Sequence, residues 1–268
     1  MNFIELPFEY PIWRIVADPS HNLIAFETRN HELRTVKFSA AELTSGKKLW
    51  GEVEMEEPWD AGLEDVSHGI VFIHGYLKQG TPEHKGIIAL DGKTGKFLWE
   101  NKEWVLYKKT DQKIICYDAF QESRNYFVAE PGSGLKTSEI RAWETVQSEI
   151  SVYEQKKNEP FQFPVLINED IENVDWNRWQ NFIVEVTKRK TVGIIEGMKT
   201  SKFRIFSFYS TKEGILNNYL LICDLNGKLL LHELMAEKVP GYGMDTFFSI
   251  SGKICYVREK RFFKVISD

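Results

Sequence analysis

The chain has 268 residues, of which 43% are hydrophobic and 13% aromatic, enough apolar material for a large core in one domain. A formal net charge of −5 argues against a surface that follows nucleic-acid phosphates. No run of about 18 apolar residues is present, so neither a transmembrane helix nor a membrane partner is expected.

The N-terminus and the cysteines indicate a cellular compartment. The first residues have no basic region and carry Glu5 and Glu9, which is not the pattern of a secretory signal. Cys116, Cys223 and Cys255 each lie in an apolar, strand-like run and form no CxxC pair, as expected of buried thiols in a reducing compartment. We therefore expect a cytoplasmic monomer.

Short apolar or alternating runs bounded by turn residues predict strands along most of the chain. Three groups of four are predicted at 13–16, 23–27, 34–38 and 47–50, at 62–66, 70–76, 86–90 and 96–99, and at 104–107, 113–117, 126–130 and 135–140. A late group of four follows at 192–196, 203–208, 219–223 and 228–232, and three more strands at 246–250, 253–257 and 262–265. Three strands alone leave an exposed edge, which an extended segment at 3–6 is able to cover.

The region of about 145–190 does not fit this four-strand pattern. Residues 150–153 and 161–166 are predicted to be extended, whereas Trp176, Trp179 and the apolar residues after them recur at helical spacing. An amphipathic helix is predicted over 175–188, with Asp175 as its N-cap. Its apolar face either packs on the β structure of its own chain, which we favour, or offers Trp176 and Trp179 to a partner or a channel mouth.

A repeated motif lies inside the strand groups. Residues 89–99 read A-x-D-x-x-T-G-K-x-x-W, in which Asp91 and Thr94 suit a hydrogen-bonded turn, Gly95 permits positive φ, and Trp99 supplies a large apolar plate. Residues 40–50 repeat the frame with Gly46 and Trp50. A weaker copy at 221–231 has no tryptophan, and it ends three periods of about 44 residues after Trp99, as in propeller blades.

This motif resembles the tryptophan-docking repeat of the quinoprotein-like β-propellers, and the whole pattern is similar to a small bacterial propeller family without an assigned activity. The resemblance implies an all-β propeller of five or six four-stranded blades in a single domain over 1–268, closed by the N-terminal strand. It also implies that one group of residues docks the blades: Trp50, Trp99, Asp91, Thr94, Gly95 and Gly46. Some members bind pyrroloquinoline quinone and calcium, but their cofactor residues have no counterpart in this sequence, so no cofactor is expected.

Three apparent catalytic or metal-binding signals fail on spacing. The stretch 91–96 lacks the first glycine and the Ser/Thr of a phosphate loop. His68 and His74 are six residues apart, about 20 Å along one strand, too far to share a metal. His84 can approach His74 across a hairpin, but no third ligand is evident, so no metal site is predicted. No catalytic residue is predicted either, because no known nucleophile or metalloprotease motif is present.

One positional coincidence points to a ligand site. Segments 62–64 and 243–245 each begin 12 residues after the end of a motif copy, a place that opens the innermost strand of the next blade. At such a channel mouth a small group of carboxylates and aromatic residues would meet: Trp59, Glu64, Asp65, Tyr242 and Asp245. The simpler interpretation, which we favour, is that these first turns are merely polar and hydrated.

The sequence thus favours a non-catalytic cytoplasmic propeller that acts as a scaffold for another protein. The alternative is a small-molecule-binding or hydrolytic propeller that uses the carboxylates at the channel mouth.

Overall fold

The structure, a computed structural model, describes residues 2–78, 81–120, 124–140, 143–170 and 172–267. Their order is predominantly β, and the chain divides into two compact units. One unit covers 8–160 and is called the first unit here; the other combines 1–7 with 161–268 and is called the second unit. The expected single domain, the closed ring and the blade count stay predictions.

The first unit contains three antiparallel sheets of four strands, each formed by strands consecutive in sequence. The first sheet consists of β2 (Ile12–Asp18), β3 (Leu23–Asn30), β4 (Thr35–Glu42) and β5 (Lys48–Val53). The second consists of β6 (Ala61–Ser67), β7 (Ile70–Tyr76), β8 (His84–Asp91) and β9 (Phe97–Asn101). The third consists of β10 (Trp104–Lys109), β11 (Ile114–Asp118), β12 (Tyr126–Ala129) and β13 (Lys136–Glu139). The predicted grouping by four is confirmed here.

The core of the first unit lies between successive sheets. One buried cluster joins side chains of the first and second sheets and includes Trp50; another joins the second and third sheets and includes Trp99. Burial of these apolar faces is the main stabilising contribution. The two tryptophans therefore occupy equivalent places in consecutive sheet pairs.

A helix, α1 (Trp143–Asn158), ends the first unit. The prediction that 150–153 is extended is wrong, because these residues lie within α1. Their alternation of apolar and polar residues is typical of a strand, and Ile150 is the buried hydrophobic residue of the helix. Contacts to neighbouring strands hold the helix, among them the ring of Trp143 against Tyr126 at 4.9 Å and a 2.7 Å ion pair between Lys108 and Glu154. Such tertiary contacts leave no periodic signal in the sequence.

The second unit contains two five-stranded antiparallel sheets. One has the order β1 (Asn2–Pro7), β22 (Phe262–Ser267), β21 (Lys253–Arg258), β20 (Phe247–Ile250) and β14 (Phe161–Gln162). The other runs from β15 (Val165–Asn168) through β16 (Val192–Lys199), β17 (Phe203–Lys212) and β18 (Ile215–Asp224) to β19 (Leu229–Ala236). The N-terminal strand pairs with the last strand, as predicted. The expectation of four strands per sheet is wrong here, because β14 and β15 each add a fifth.

Helix α2 (Val174–Thr187) lies in the second unit, close to its predicted range. Its N-cap is Asn173, whose side chain accepts hydrogen bonds from the amides of Asp175 and Trp176, so the assignment of Asp175 as the cap is wrong. Asp175 lies in the first turn, where a carboxylate suits the helix dipole. Neither helix in the described part of the chain has both the length and the apolar character needed to cross a bilayer.

Candidate functional site

The two motif tryptophans each contact the turn of the next repeat. The indole N–H of Trp50 donates to the carbonyl of Gly92 at 2.8 Å, and its ring covers Gly95, where a Cβ would come within 2.8 Å of the ring. Gly95 has φ +68°, and the Asp91 carboxylate accepts from the amide and the hydroxyl of Thr94 at 2.8 and 2.7 Å. The glycine therefore serves two purposes, the turn and the space for the ring.

Trp99 repeats this arrangement on a turn that sequence reasoning did not recognise. Its N–H donates to the carbonyl of Pro131 at 2.8 Å, and its ring covers Gly134, which has φ +67°. In that turn the Ser133 hydroxyl donates to the carboxylate of Glu130. The two turns have the same spacing: an acidic residue, a hydroxyl residue and a glycine stand at 130, 133 and 134, as at 91, 94 and 95. The second turn is hard to recognise in the sequence because the strand that follows it has no tryptophan. Gly46, with φ +63°, forms the corresponding turn before Trp50.

The predicted carboxylate Glu64 meets two histidines. Its Oε2 lies 2.7 Å from Nδ1 of His74 and 2.7 Å from Nδ1 of His84. The two imidazole rings are stacked, with centroids 3.6 Å apart and planes within 10°. Burial by itself raises the pKa of Glu64, but the two imidazoles outweigh it and lower the pKa to about 2. Burial lowers the pKa of His74 despite the carboxylate, so an ionised carboxylate faces a neutral ring at pH 7.

Two β-bulges place these side chains on one face of the second sheet. The β6–β7 register shifts between Leu63 and Asp65, which leaves Glu64 without a cross-strand partner. The β7–β8 register shifts between Ile73 and Gly75, next to His74. Bulges redirect side chains in this way and are frequent at functional sites. Sequence reasoning anticipated that His84 approaches His74, but it missed Glu64 as the third group because bulges are not visible in the strand pattern.

The neighbouring Asp65 has different partners. Its carboxylate forms ion pairs with the ammonium groups of Lys109 and of Lys157, the latter from α1 at 2.6 Å. Burial by itself raises the pKa of Asp65, but the two lysine charges outweigh it and lower the pKa. Glu64 and Asp65 thus belong to two separate clusters. Trp59 is half-buried against the core of the first unit, with the guanidinium of Arg29 5.2 Å above its ring.

The other predicted ligand residues lie in the second unit. Tyr242 is exposed and stands edge-on to Tyr209 at 5.1 Å. The backbone amide of Asp245 donates to the buried carboxylate of Glu196 at 2.5 Å, while its own side chain is exposed. The meeting of these residues with Trp59, Glu64 and Asp65 at one channel mouth stays a prediction.

A groove in the second unit runs beside α2 and has a volume of about 640 Å³. Its apolar lining includes Trp179, Phe182 and Phe206, and also Phe163 and Val165, which are 56% and 63% exposed. Trp179 stands edge-on to Phe206 at 5.4 Å. It lies over Gly197, where a Cβ would approach the indole to 2.5 Å.

Trp176 has a different environment from Trp179. It is 1% exposed and packs in the core between α2 and the five-stranded sheet formed by β15 to β19. It therefore offers no surface to a partner, whereas Trp179 is only half-buried and lines the groove. Of the two tryptophans proposed from the helical pattern, the groove contains one.

The rim of the groove carries an excess of positive charge. Lys199 and Arg204 are cross-strand partners on β16 and β17 and both line the groove. Neither forms an ion pair with any residue that the structure describes. Arg178, also on the rim, pairs with Asp175 at 2.7 Å. Like charges directly opposite each other on neighbouring strands cost stability, and here they persist in a chain of net charge −5.

Comparisons with known proteins match only part of these features. A family model described as a domain of unknown function, DUF4905, matches residues 17–99, which is less than half of the chain. The curated proteins give no match. Neither finding bears on the quinoprotein-like repeat, so that resemblance stays a prediction.

Several solved structures are similar to the chain at low identity. A crystal structure of "the eukaryotic initiation factor" has 8% identity and a TM-score of 0.36, covering 84% of this chain and 55% of that one. The β-propeller domain of the Trilobed protease from Pyrococcus furiosus has 13% identity and a TM-score of 0.34, and the match covers 96% of this chain and 80% of that one. TolB from Acinetobacter baumannii has 10% identity and a TM-score of 0.28, and the match covers 97% of this chain and 55% of that one. The chain thus spans about half the length of two of them, and TM-scores this low do not assign the fold.

Proposed function

We propose that the protein is a non-catalytic, propeller-type scaffold that binds an acidic, apolar segment of a partner protein in the groove beside α2. The proposal rests mainly on one observation: Lys199 and Arg204, two adjacent cations on the rim of an apolar groove, have no ion-pair partner among the residues that the structure describes. An unpaired like-charge pair is explained if a partner supplies the opposite charge.

The lining of the groove suggests what the segment must contain. Phe163 and Val165 are exposed aromatic and aliphatic side chains at one side, and Trp179 with Phe206 forms an aromatic wall. Aromatic anchors with a charged rim are the usual composition of a binding hot spot. We therefore expect one or two large apolar side chains in the partner, flanked by Asp or Glu.

The alternative of a hydrolytic site formed by the predicted carboxylates has less support. Glu64 and Asp65 are engaged by histidines and lysines respectively. These partners lower the pKa of both carboxyl groups, which disfavours either of them as a general acid at neutral pH.

Synthetic peptides test the proposal. Fluorescein-labelled peptides of about ten residues would carry Phe or Leu flanked by Glu, with matched peptides in which Lys replaces Glu. We expect the acidic series to bind, and we expect Lys199→Glu with Arg204→Glu to weaken binding more than about tenfold. Lys228→Glu, in the turn before β19 and outside the groove lining, is the control for a single charge reversal and is compared with Lys199→Glu alone.

The outcomes separate groove binding from general electrostatic attraction. Binding lost equally in the Lys228→Glu control would mean that net charge alone acts, and equal affinity for acidic and basic peptides would refute the proposed partner chemistry. Trp179→Ala provides a second readout, because it removes the aromatic wall without changing the charge. If neither Trp179→Ala nor the charge reversal changes affinity, the groove is not the binding surface.

A further inference from the structure

We propose that Glu64, His74 and His84 form a binding site for a divalent transition-metal ion of the Zn²⁺ type. Their three ligand atoms lie within 4.8 Å of one another on three consecutive strands, β6, β7 and β8. The site lies in the first unit and the groove in the second, so this inference is independent of the proposed function.

His74 shows that the cluster is not satisfied by hydrogen bonds alone. Its residue exposure is 4%, and both its ring nitrogens are buried without a hydrogen-bond partner among the described residues. Nδ1 lies 2.7 Å from Glu64 Oε2, but outside the angles that a hydrogen bond requires. A buried polar atom without a partner destabilises the folded state. A metal ion between the carboxylate and the ring would supply the missing partner.

The approach of both rings to one carboxylate favours the same conclusion. Both Nδ1 atoms approach one carboxylate oxygen at 2.7 Å, with the rings 3.6 Å apart and nearly parallel. Two imidazole nitrogens are thus already gathered at one carboxylate oxygen, and a shared ion would require the nearly parallel rings to tilt so that each in-plane lone pair points at it.

The distances require only a small expansion. Metal–ligand bonds of about 2.1 Å at tetrahedral angles separate neighbouring ligand atoms by about 3.4 Å, and the Glu64 contacts are 2.7 Å. Glu64 lies on a bulge, and the side chain of His84 is 32% exposed. Both can therefore move outward by the required fraction of an ångström. The exposed side at His84 leaves a fourth position open to water or to a ligand.

The backbone around the cluster is shaped to admit the rings. Gly62 pairs with His74 across β6 and β7, and a Cβ on Gly62 would lie 2.6 Å from His74 Nε2. Gly86, next to the second bulge, has φ +82°, which favours glycine. Tyr76, opposite His84 on β7, stands edge-on to both imidazoles at 5.1 and 5.9 Å.

The ligand set determines the class of ion. Two imidazole nitrogens and one carboxylate oxygen suit Zn²⁺ and its first-row neighbours, as in open sites with three protein ligands. Calcium and magnesium prefer all-oxygen coordination and are not expected to compete.

Cobalt is a direct spectroscopic probe of this site. The protein would be stripped with EDTA, dialysed and titrated with Co²⁺, followed by visible absorption, and then with Zn²⁺ in competition. We expect one Co²⁺ per chain, displaced by Zn²⁺ but not by a large excess of Ca²⁺ or Mg²⁺. His84→Ala and Glu64→Gln should each weaken binding more than about tenfold, because each removes a direct ligand.

Two further variants separate metal binding from folding. His31→Ala removes an exposed histidine outside the cluster and should bind Co²⁺ like the parent. Gly62→Ala keeps all three ligands but should displace the ring of His74 and weaken binding. Thermal unfolding in EDTA checks that each variant is folded, and His84→Ala, at the most exposed ligand, remains informative if Glu64→Gln does not fold. The proposal is overturned if the parent shows no stoichiometric binding, or if His84→Ala binds as tightly as the parent.

Discussion

Replacing Trp99 by alanine tests whether the motif tryptophans dock one sheet onto the turn of the next. Trp99 is 8% exposed and donates its N–H to the carbonyl of Pro131 at 2.8 Å. An indole side chain buries about 200 Å², worth up to about 5 kcal/mol at ~25 cal/mol per Å². Removal also leaves a cavity and an unpaired carbonyl, so we expect a loss of about 3–5 kcal/mol in the free energy of unfolding.

Urea denaturation followed by circular dichroism measures this loss. One further variant separates the contribution of apolar burial from that of the hydrogen bond, and another serves as a control. Trp99→Phe keeps most of the apolar area and loses the hydrogen bond, so it should cost about 1–2 kcal/mol. Trp13→Ala removes a tryptophan that is 63% exposed and should cost less than about 1 kcal/mol. Trp50→Ala should resemble Trp99→Ala. A loss below about 1 kcal/mol for Trp99→Ala would refute the docking argument.

Three further predictions follow from the same structure. Asn173→Ala should destabilise the protein by about 1 kcal/mol in thermal or urea unfolding because it removes the α2 cap, whereas Asp175→Ala should cost only a few tenths; equal losses would contradict the cap assignment. The lysine charges lower the pKa of Asp65, so its contribution to stability is present above about pH 4 and lost as the pH falls further. Asp65→Asn should therefore destabilise at pH 7 by about 3–5 kcal/mol, because Lys109 and Lys157 lose their partner, and the difference from the parent should shrink towards pH 2; a difference independent of pH would refute the ionic origin. Finally, pyrroloquinoline quinone with calcium should give no dye-linked oxidation of alcohols or glucose, and turnover above a blank would contradict the expected absence of a quinone cofactor.

Local sequence determined the strands and the turns. The four-strand groups of the first unit follow from apolar runs separated by turn residues, because both signals act within a few residues. The turn at 91–95 was recognised for the same reason. The turn at 130–134 has equivalent chemistry, but no tryptophan stands at the matching position after it, so the motif is incomplete in the sequence. The pairing of the N-terminal strand with the last strand was expected from the propeller resemblance, and it covers an edge that would otherwise be exposed.

Tertiary structure decided what the local pattern could not contain. Helix α1 is stabilised by contacts from Glu154 and Lys157 to distant strands, so its own periodicity is weak and 150–153 resembled a strand. The candidate metal cluster depends on two bulges that turn Glu64 towards His74 and His84, and a one-residue register shift has no signature in hydrophobic alternation. Sequence therefore specified the sheets of the first unit, while the register between strands decided the metal cluster and the packing of α2 on its sheet decided the groove.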